Sequence, residues 1–278
     1  MPAKKTVLNE VTLSGVGLHS GKAVDLTLKP SSVGEIVFVR TDLKDTEFRI
    51  DPNKIAIQNS STLVTEKGKI RTLEHLMAVL YVFGINSLVI EMNSEEIPAL
   101  DGSALGFCNA LQQAGIKILP GKAELKKITK PFIIQEKEAS VSVLPDPDFK
   151  ITYVIEYPHP LIKKQGFSLV VDEDSFVKEL APARTFGFLE EVPALRARGL
   201  ALGGSLENAV VLDEKEIISG PLRFPDEFVR HKILDLVGDL SSLIKPVAGH
   251  FVAKKAGHSL HLKIVRYLLN NPDHWTSA

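Results

Sequence analysis

Short runs of alternating hydrophobic and polar residues fill the first third of the chain and predict β-strands. These strand candidates, separated by glycine-rich turns, lie at 11–13, 23–28 and 35–40. A longer apolar segment predicts a helix that begins with Thr72 as its N-cap and ends at Phe83, before Gly84. Because apolar residues cover nearly all sides of this helix, we expect it to be buried between two layers. A strand at 87–91 and a helix at 104–114 complete the first half.

The second half of the chain repeats this order of elements. The segment 120–130 is charged and carries little hydrophobic pattern, so it predicts a domain boundary. Beyond it, the pattern predicts strands at 132–135, 139–144 and 151–156, a helix at 227–243, a strand at 250–254 and a closing helix at 259–270. We therefore predict an α+β fold of two similar domains, 1–123 and 124–278, each a β-sheet with two helices.

Composition excludes several classes of protein. Among 278 residues, 33 Lys+Arg balance 34 Asp+Glu, and this near-neutral charge argues against a nucleic-acid-binding protein. The single cysteine, Cys108, excludes an internal disulfide and a cysteine-rich zinc site. Residues 1–10 lack the apolar core of a signal peptide, and the longest uncharged apolar stretch, 76–90, is shorter than the about 20 residues of a membrane helix. The sequence thus predicts a cytoplasmic protein without a transmembrane segment.

The helix predicted at 227–243 carries the strongest candidate site. His231, Asp235 and Asp239 recur every four residues and form one polar stripe beside an apolar face. A histidine and a carboxylate one turn apart can bind a metal ion, and the second acid can orient a neighbour. The alternative is a solvated polar face on which His231 and Asp235 are merely paired.

Glu74 and His75, in the helix expected to be buried, form a second candidate. Two ionisable groups there are costly unless they are paired or bound to metal, although a lone hydrogen-bonded core histidine is the alternative for His75. The protease motif H-x-x-E-H would need histidine at position 71, which is Arg71. The helix therefore supplies one histidine. His75 with His231 and Asp235 would give two imidazoles and one carboxylate, the ligand set of a catalytic zinc site.

Two further segments combine polar groups with apolar surroundings. His258 follows Gly257 at a predicted helix start, where it would have access to substrate, unless it is simply an exposed turn histidine. The segment 183–188 offers a hydroxyl and backbone groups that could serve an oxyanion, as many loops could. The glycine-rich segment 14–21 is not a dinucleotide fingerprint, because no helix follows it.

A series of ordered motifs resembles one known family. The motifs are SGVGLHSG at 14–21, TLEHL at 72–76, EIPALDGS at 96–103, ARTFG at 183–187, GGS at 203–205, VRHKILDLVGD at 229–239 and GH at 257–258. Their order is similar to that in the UDP-3-O-acyl-N-acetylglucosamine deacetylases, zinc amidases of lipid A synthesis in Gram-negative bacteria. The resemblance runs from about Thr6 to Leu269, nearly the whole chain.

The resemblance implies helices sandwiched between two outer sheets, and it implies a role for each candidate residue. His75, His231 and Asp235 match the family's ligands of Zn²⁺, for which Fe²⁺ is the alternative in the cell. The other matches are Glu74 to the general base, His258 to the catalytic histidine, Asp239 to the acid that orients it, Thr185 to the hydroxyl near the oxyanion, Lys232 to a cation near the substrate phosphates, and Phe186 and His19 to residues lining the site. The implied partner is a UDP-linked acylated amino sugar. Separately from the resemblance, we expect a peripheral approach to the membrane and no protein partner.

Two departures from the family pattern and two rival functions stay open at this point. His261 stands where the family usually has asparagine, which adds a second histidine near His258. The segment 158–167, where the family builds part of its acyl-chain passage, is too divergent to assign. A non-haem iron oxygenase also uses two histidines and one carboxylate, but its ligands normally lie on strands. A binding protein without catalysis is disfavoured because Glu74 and His258 are both present.

Overall fold

The computed structural model describes residues 3–277, and its first half contains a five-stranded sheet and two principal helices. The strands are β1 (Ala3–Val7), β2 (Val11–Val16), β3 (Ala23–Pro30), β4 (Ile36–Arg40), β5 (Thr46–Arg49), β6 (Ile55–Ile57), β7 (Ser61–Thr65), β8 (Gly68–Ile70), β9 (Leu88–Met92) and β10 (Ile116–Lys122). The helices are α1 (Glu74–Val82) and α2 (Leu105–Ala114). The sheet has the order β2-β3-β9-β4-β5, while β6–β8 and the pair β1–β10 form smaller sheets.

The second half is built around a larger, seven-stranded sheet. Its strands, together with a separate pair formed by β16 and β17, are β11 (Lys126–Ile128), β12 (Phe132–Glu136), β13 (Ala139–Leu144), β14 (Phe149–Glu156), β15 (Lys164–Val170), β16 (Phe186–Phe188), β17 (Val210–Leu212), β18 (Val247–Lys254) and β19 (Trp275–Ser277). The helices are α3 (Glu173–Ser175), continued by a π-helical turn at Phe176–Leu180, α4 (Val192–Ala197), α5 (Glu227–Leu240) and α6 (His258–Asn270).

The two large sheets share one topology. In the first, β2, β3 and β9 pair antiparallel, β9 pairs parallel with β4, and β4 pairs antiparallel with β5. In the second, β12, β13 and β18 pair antiparallel, β18 pairs parallel with β14, and β14 pairs antiparallel with β15. This repetition confirms the predicted α+β fold with two similar units. The boundary at 123/124 stays a prediction, and Met1, Pro2 and Ala278 lie outside the described residues.

The helices lie between the sheets because each sheet has one apolar face. Ile151, Tyr153 and Ile155 alternate along β14 and are buried, and this strand contacts α5. In the first unit α2 contacts β2, and α1 packs against α5 of the second unit. The most extensive contact between the units is therefore one between helices. Within residues 3–277, none of the helices is long and apolar enough to span a bilayer.

The predicted elements occur, with corrections at their ends. Helix α1 begins at Glu74, so the prediction of Thr72 as its N-cap is wrong. Thr72 has a left-handed backbone (φ +59°), and its hydroxyl donates to Glu96 Oε1 (2.9 Å). Gly84, with φ +69°, follows the helix end as predicted. The predicted helix 227–243 divides into α5 and a 3₁₀ turn at Ser241–Leu243.

Candidate active site

The two units meet most closely where α1 crosses α5. Gly238 of α5 faces the backbone of Glu74, and a Cβ at this position would lie 2.8 Å from Glu74 Cα and closer still to the Glu74 carbonyl group. Any side chain here would push the helices apart, since real Cβ atoms essentially never approach so closely. The glycine thus allows α5 to carry Asp235, one turn earlier, up to His75 at the start of α1.

His75, His231 and Asp235 converge at this crossing. Asp235 Oδ1 lies 3.6 Å from Nε2 of His75 and 3.4 Å from Nε2 of His231. One donor atom from each residue lies within 4.8 Å of the others, and all three residues are buried. The structure therefore brings together the three residues predicted as metal ligands, all of them on helices, and it places none of them on a solvated face.

The donor atoms of this cluster suit a divalent metal. His231 Nδ1 lies 3.1 Å from the carbonyl oxygen of Ala183, to which it donates, so the lone pair of Nε2 points into the cluster. Burial lowers the pKa of His231 to about 4, so its imidazole is neutral. Burial alone would raise the pKa of Asp235, but Lys232 and the nearby histidines outweigh it and hold that pKa well below its usual range. Neutral imidazoles and an ionised carboxylate are the protonation states that a metal requires.

Lys232 bonds to the second oxygen of the Asp235 carboxylate. Its Nζ donates to Asp235 Oδ2 (2.8 Å), which leaves Oδ1 to face the two histidines. Burial would lower the pKa of Lys232, yet the carboxylate of Asp235 raises it above the usual lysine range. Lys232 is therefore a charged group at the edge of the cluster, in a contact with Asp235 that sequence reasoning did not predict.

Glu74 and His258 face each other beside the cluster. Glu74 Oε1 lies 3.9 Å from Nε2 of His258, and Glu74 Oε2 accepts a hydrogen bond from the backbone N–H of Ser61 (3.1 Å). Burial raises the pKa of Glu74, and the neighbouring histidines offset this only in part. A carboxylate with a raised pKa holds a proton more readily than a solvated one, as a general base must.

His258 is held by Asp239 on its other ring nitrogen. Its Nδ1 lies 2.7 Å from Asp239 Oδ2, and its side chain is 14% exposed. Burial would lower the pKa of His258, but Asp239 and Asp235 outweigh it and raise that pKa to about 10. Burial would raise the pKa of Asp239, but His258 outweighs this effect and lowers that pKa to about 2. The pair is thus an imidazolium and a carboxylate at neutral pH. His258 is therefore not an exposed turn histidine.

Sequence reasoning missed Ser61, which joins the two acids. Besides the N–H bond to Glu74, its hydroxyl donates to Asp239 Oδ1. Ser61 is buried at the start of β7. A serine among other short polar residues gives no signal of such a role in the sequence, because its partners come from two helices that only the fold brings together.

The segment 183–188 is pinned to α5 and to the first unit. Thr185 donates its backbone N–H to the carbonyl of Gly102 (2.8 Å). Arg184 forms a buried ion pair with Glu227, at 2.8 Å from Nε to Oε1, and its backbone N–H donates to the same oxygen (2.9 Å). Glu227, the first residue of α5, was not predicted, since an acid in a first helical turn usually serves the helix itself.

A cavity of about 520 Å³ connects these groups. Its lining includes the polar residues Glu74, His75, His231, Asp235, His258 and Lys232, together with Thr185, Phe186 and His19. The lining also includes a set of apolar residues, here called the apolar wall: Leu18, Phe188, Leu189, Val192, Leu195, Ala201, Leu206, Ala209 and Val211. The predicted site residues thus surround one cavity, with Asp239 behind His258. The arrangement combines a cluster of residues that could hold a metal ion, a buried carboxylate and an imidazolium with a set of apolar residues.

His19 and Phe186 also line this cavity, and the ring of Phe186 lies edge-on to that of His231, with centroids 6.3 Å apart. His19 donates its backbone N–H to Glu96 Oε1 (2.9 Å), and burial lowers the pKa of its imidazole. The ring of Phe186 packs edge-on against Phe228, with centroids 5.0 Å apart, and Lys232 Nζ lies 5.8 Å from its centroid. None of the hydrogen bonds found for His19 within residues 3–277 reaches His75, His231 or Asp235.

Comparison with known proteins finds one family across nearly the whole chain. The profile of LpxC, UDP-3-O-acyl N-acetylglycosamine deacetylase, matches residues 4–270. A UDP-3-O-acyl-N-acetylglucosamine deacetylase of Thermodesulfovibrio yellowstonii is 46% identical over 273 residues, covering 97% of this chain and 92% of the relative. Proteins of the same name from Syntrophus aciditrophicus and Myxococcus xanthus are each 42% identical, covering 99% and 97% of this chain and 89% and 87% of the relatives.

Proposed function

This chain belongs to the UDP-3-O-acyl-N-acetylglucosamine deacetylase family, and from that premise we propose how its residues carry out the reaction. The protein is a metal-dependent hydrolase that cleaves an amide. It removes the N-acetyl group of a UDP-3-O-acyl-N-acetylglucosamine, releasing acetate, in the synthesis of lipid A. The observation that supports the residue roles is the convergence of the metal-binding cluster, Glu74 and His258 on one cavity.

The proposed metal ligands are His75, His231 and Asp235. Two imidazoles and one carboxylate are a donor set of catalytic zinc, so we propose Zn²⁺, with Fe²⁺ as the alternative in the cell. When bound, such an ion lowers the pKa of a water molecule to about 7 and polarises a carbonyl oxygen. Lys232 and Ala183 contribute by fixing the orientation of Asp235 and His231 through the hydrogen bonds described above.

Glu74 acts as the general base in this proposal. Its Oε1 is free of the Ser61 hydrogen bond and lies 3.9 Å from Nε2 of His258. It takes a proton from water as the water oxygen forms a bond to the acetamide carbonyl carbon. The raised pKa of Glu74 brings its proton affinity closer to that required for this transfer.

His258 acts as the general acid. It is already protonated at neutral pH, so it stabilises the negative charge that develops on the carbonyl oxygen and then donates its Nε2 proton to the departing nitrogen. The C–N bond breaks and leaves acetate and a free amine. Asp239 holds Nδ1, so that Nε2 points into the cavity. The Thr185 hydroxyl, on the same cavity wall, is proposed to hydrogen-bond to the developing oxyanion.

The remaining assignments concern substrate binding. The UDP-sugar is the substrate class of the enzyme, and we propose that Lys232 lies near its phosphates while Phe186 and His19 line its site. The apolar wall is proposed to accept the 3-O-acyl chain, since an alkyl chain leaves water favourably on such a surface. A cytoplasmic location, a peripheral approach to the membrane and the lack of nucleic-acid or protein partners remain predictions.

Metal content measured together with activity tests this proposal. The purified chain should contain one metal ion per molecule and release acetate from UDP-3-O-acyl-N-acetylglucosamine. A chelator should abolish acetate release, and added Zn²⁺ should restore it. Restoration by Fe²⁺ but not by Zn²⁺ would overturn the choice of metal. Metal-independent acetate release would overturn the proposed ligand cluster.

A further inference from the structure

A second histidine shares the carboxylate that holds His258. His261, one turn further along α6, is fully buried, and its Nδ1 lies 2.7 Å from Asp239 Oδ2. The same oxygen accepts from His258 Nδ1, also at 2.7 Å, while Ser61 occupies the other oxygen. Asp239 is therefore held from three directions, and two of its three partners are imidazoles of one helix.

Tyr153 links His261 to the segment that precedes His258. Its hydroxyl lies 3.0 Å from His261 Nε2 and 2.8 Å from the carbonyl oxygen of Ala256, so its single proton is shared between these two acceptors. Ala256 precedes His258 by two residues, in the turn that leads into α6. Tyr153 comes from the centre of β14 and is fully buried, so the sheet fixes its position. The hydroxyl thus contacts both the turn before His258 and the histidine beside it.

We propose that His261 and Tyr153 are positioning residues that keep Asp239 and the turn before His258 in place, so that Nε2 of His258 points at the reacting amide. This inference rests on the roles proposed for His258 and Asp239. His261 contributes through its Nδ1–H bond to Asp239, and Tyr153 contributes through both His261 and Ala256. Burial lowers the pKa of His261, in keeping with a neutral donor that leaves the charge of Asp239 to His258.

A purely structural role for His261 and Tyr153 would not require polar side chains. An apolar side chain of similar size fills a buried site without the penalty of desolvating an imidazole and a phenol. Here both polar groups are buried, and each ring nitrogen of His261 has a partner, Asp239 at Nδ1 and the Tyr153 hydroxyl at Nε2. Hydrogen-bonded networks of this kind fix a single geometry at a site where a small displacement slows the reaction.

The first test compares Tyr153→Phe with Tyr81→Phe as a matched control. Tyr81 also has a buried hydroxyl bonded to backbone, where it accepts from the N–H of Val247 (2.9 Å), away from His258. Tyr153→Phe should lower kcat for acetate release about threefold to tenfold, the range expected for one lost hydrogen bond, with KM and bound metal unchanged. Tyr81→Phe should leave kcat unchanged at a similar loss of Tm. Equal kcat values in the two variants would overturn the proposal.

The second test is a double-mutant cycle through His258. His261→Leu should lower kcat about tenfold in the wild-type background but less than about twofold in a His258→Ala background, because its effect passes through that histidine. His261→Asn, which keeps a donor near Asp239, should recover part of the loss. Equal losses in both backgrounds would overturn the proposal. An inactive wild-type enzyme would instead contradict the proposed function, so the two failures are distinguishable.

Discussion

Ser61 and Asp239 are joined by a hydrogen bond although 178 positions separate them along the chain. The serine hydroxyl donates to Asp239 Oδ1, and the backbone N–H of the same serine donates to Glu74. The acid that orients the proposed proton donor and the proposed base are therefore fixed to one residue. This arrangement fixes the position of one carboxylate relative to the other across the interface between the units.

Replacing Ser61 separates these two functions. Ser61→Ala removes the bond to Asp239 but keeps the backbone N–H that holds Glu74, so kcat should fall about threefold to tenfold while bound metal stays at its wild-type level. Steady-state kinetics and elemental analysis measure both quantities. Ser60→Ala, which alters a buried hydroxyl next in sequence, is the control and should retain the wild-type kcat. A normal kcat in Ser61→Ala would show that Asp239 does not need this bond.

Gly238 sets the distance between α1 and α5. In Gly238→Ala the new methyl group would overlap the backbone of Glu74, so the helices must separate. We expect a loss of about 1–3 kcal/mol or more in unfolding free energy and a weaker affinity for metal. Denaturant titration and competition with a chelator measure the two effects. Gly166→Ala, whose Cβ would meet its nearest atom at 3.7 Å, should change neither quantity appreciably. Wild-type metal affinity in Gly238→Ala would contradict this role.

Glu227 should make the unfolding free energy of the protein depend on pH in the acidic range. Burial would raise its pKa, but the hydrogen bonds from Arg184 and the backbone outweigh it and lower that pKa below its ordinary value. A lowered folded pKa stabilises the fold above the unfolded pKa of about 4.3, and this contribution is lost as pH falls through the folded value.

The comparison of wild type with Glu227→Gln reveals this contribution. Breaking a buried pair on one side costs about 3–5 kcal/mol, so the variant should be less stable by about that amount above pH 5. The difference should shrink as pH falls below about 4, where the wild-type carboxyl takes up a proton. Denaturant titrations of both proteins across this range check the sign. A difference that grows on acidification would contradict the ion-pair account.

Two leucines of equal exposure offer a test of the apolar wall. Leu206 lines the cavity and is 50% exposed, whereas Leu202 is 51% exposed and does not line it. Leu206→Glu should raise KM for the 3-O-acylated substrate about tenfold with little change in kcat, because it places a charge where the acyl chain is proposed to lie. Leu202→Glu should leave KM unchanged. Equal KM values for the two variants would show that Leu206 does not contact the acyl chain.

The sequence predicted the parts of this protein that rest on periodicity and spacing. The long elements α1, α5, α6 and β14 follow from sustained apolar patterns, and the spacing of His231, Asp235 and Asp239 placed them on one helical stripe. Short strands such as β6 and β8, each three residues long, carry no measurable period and were not predicted. Likewise, β11 lies within the charged segment taken as a boundary.

The contacts between distant elements could not be predicted from the sequence. Ser61 of β7 bonds to Asp239 of α5, Tyr153 of β14 lies against His261 of α6, and Glu227 of α5 pairs with Arg184 of the segment 183–188. His261 was visible in sequence as a departure from the family pattern, but its bond to Asp239 depends on the turn of α6. Such partners have ordinary residue types in ordinary elements, and only their tertiary neighbours distinguish them.

Adjacent residues with opposite roles give the most direct test of the proposed site. Glu74 is the proposed base and His75 a proposed metal ligand, although they follow one another at the start of α1. Bound metal and kcat should be measured for Glu74→Gln and His75→Ala. Glu74→Gln should keep one metal ion per chain and lose about 10²–10⁴-fold in kcat, whereas His75→Ala should lose the metal and the activity together. Loss of metal from Glu74→Gln, or a full equivalent of metal in His75→Ala, would contradict the assignment.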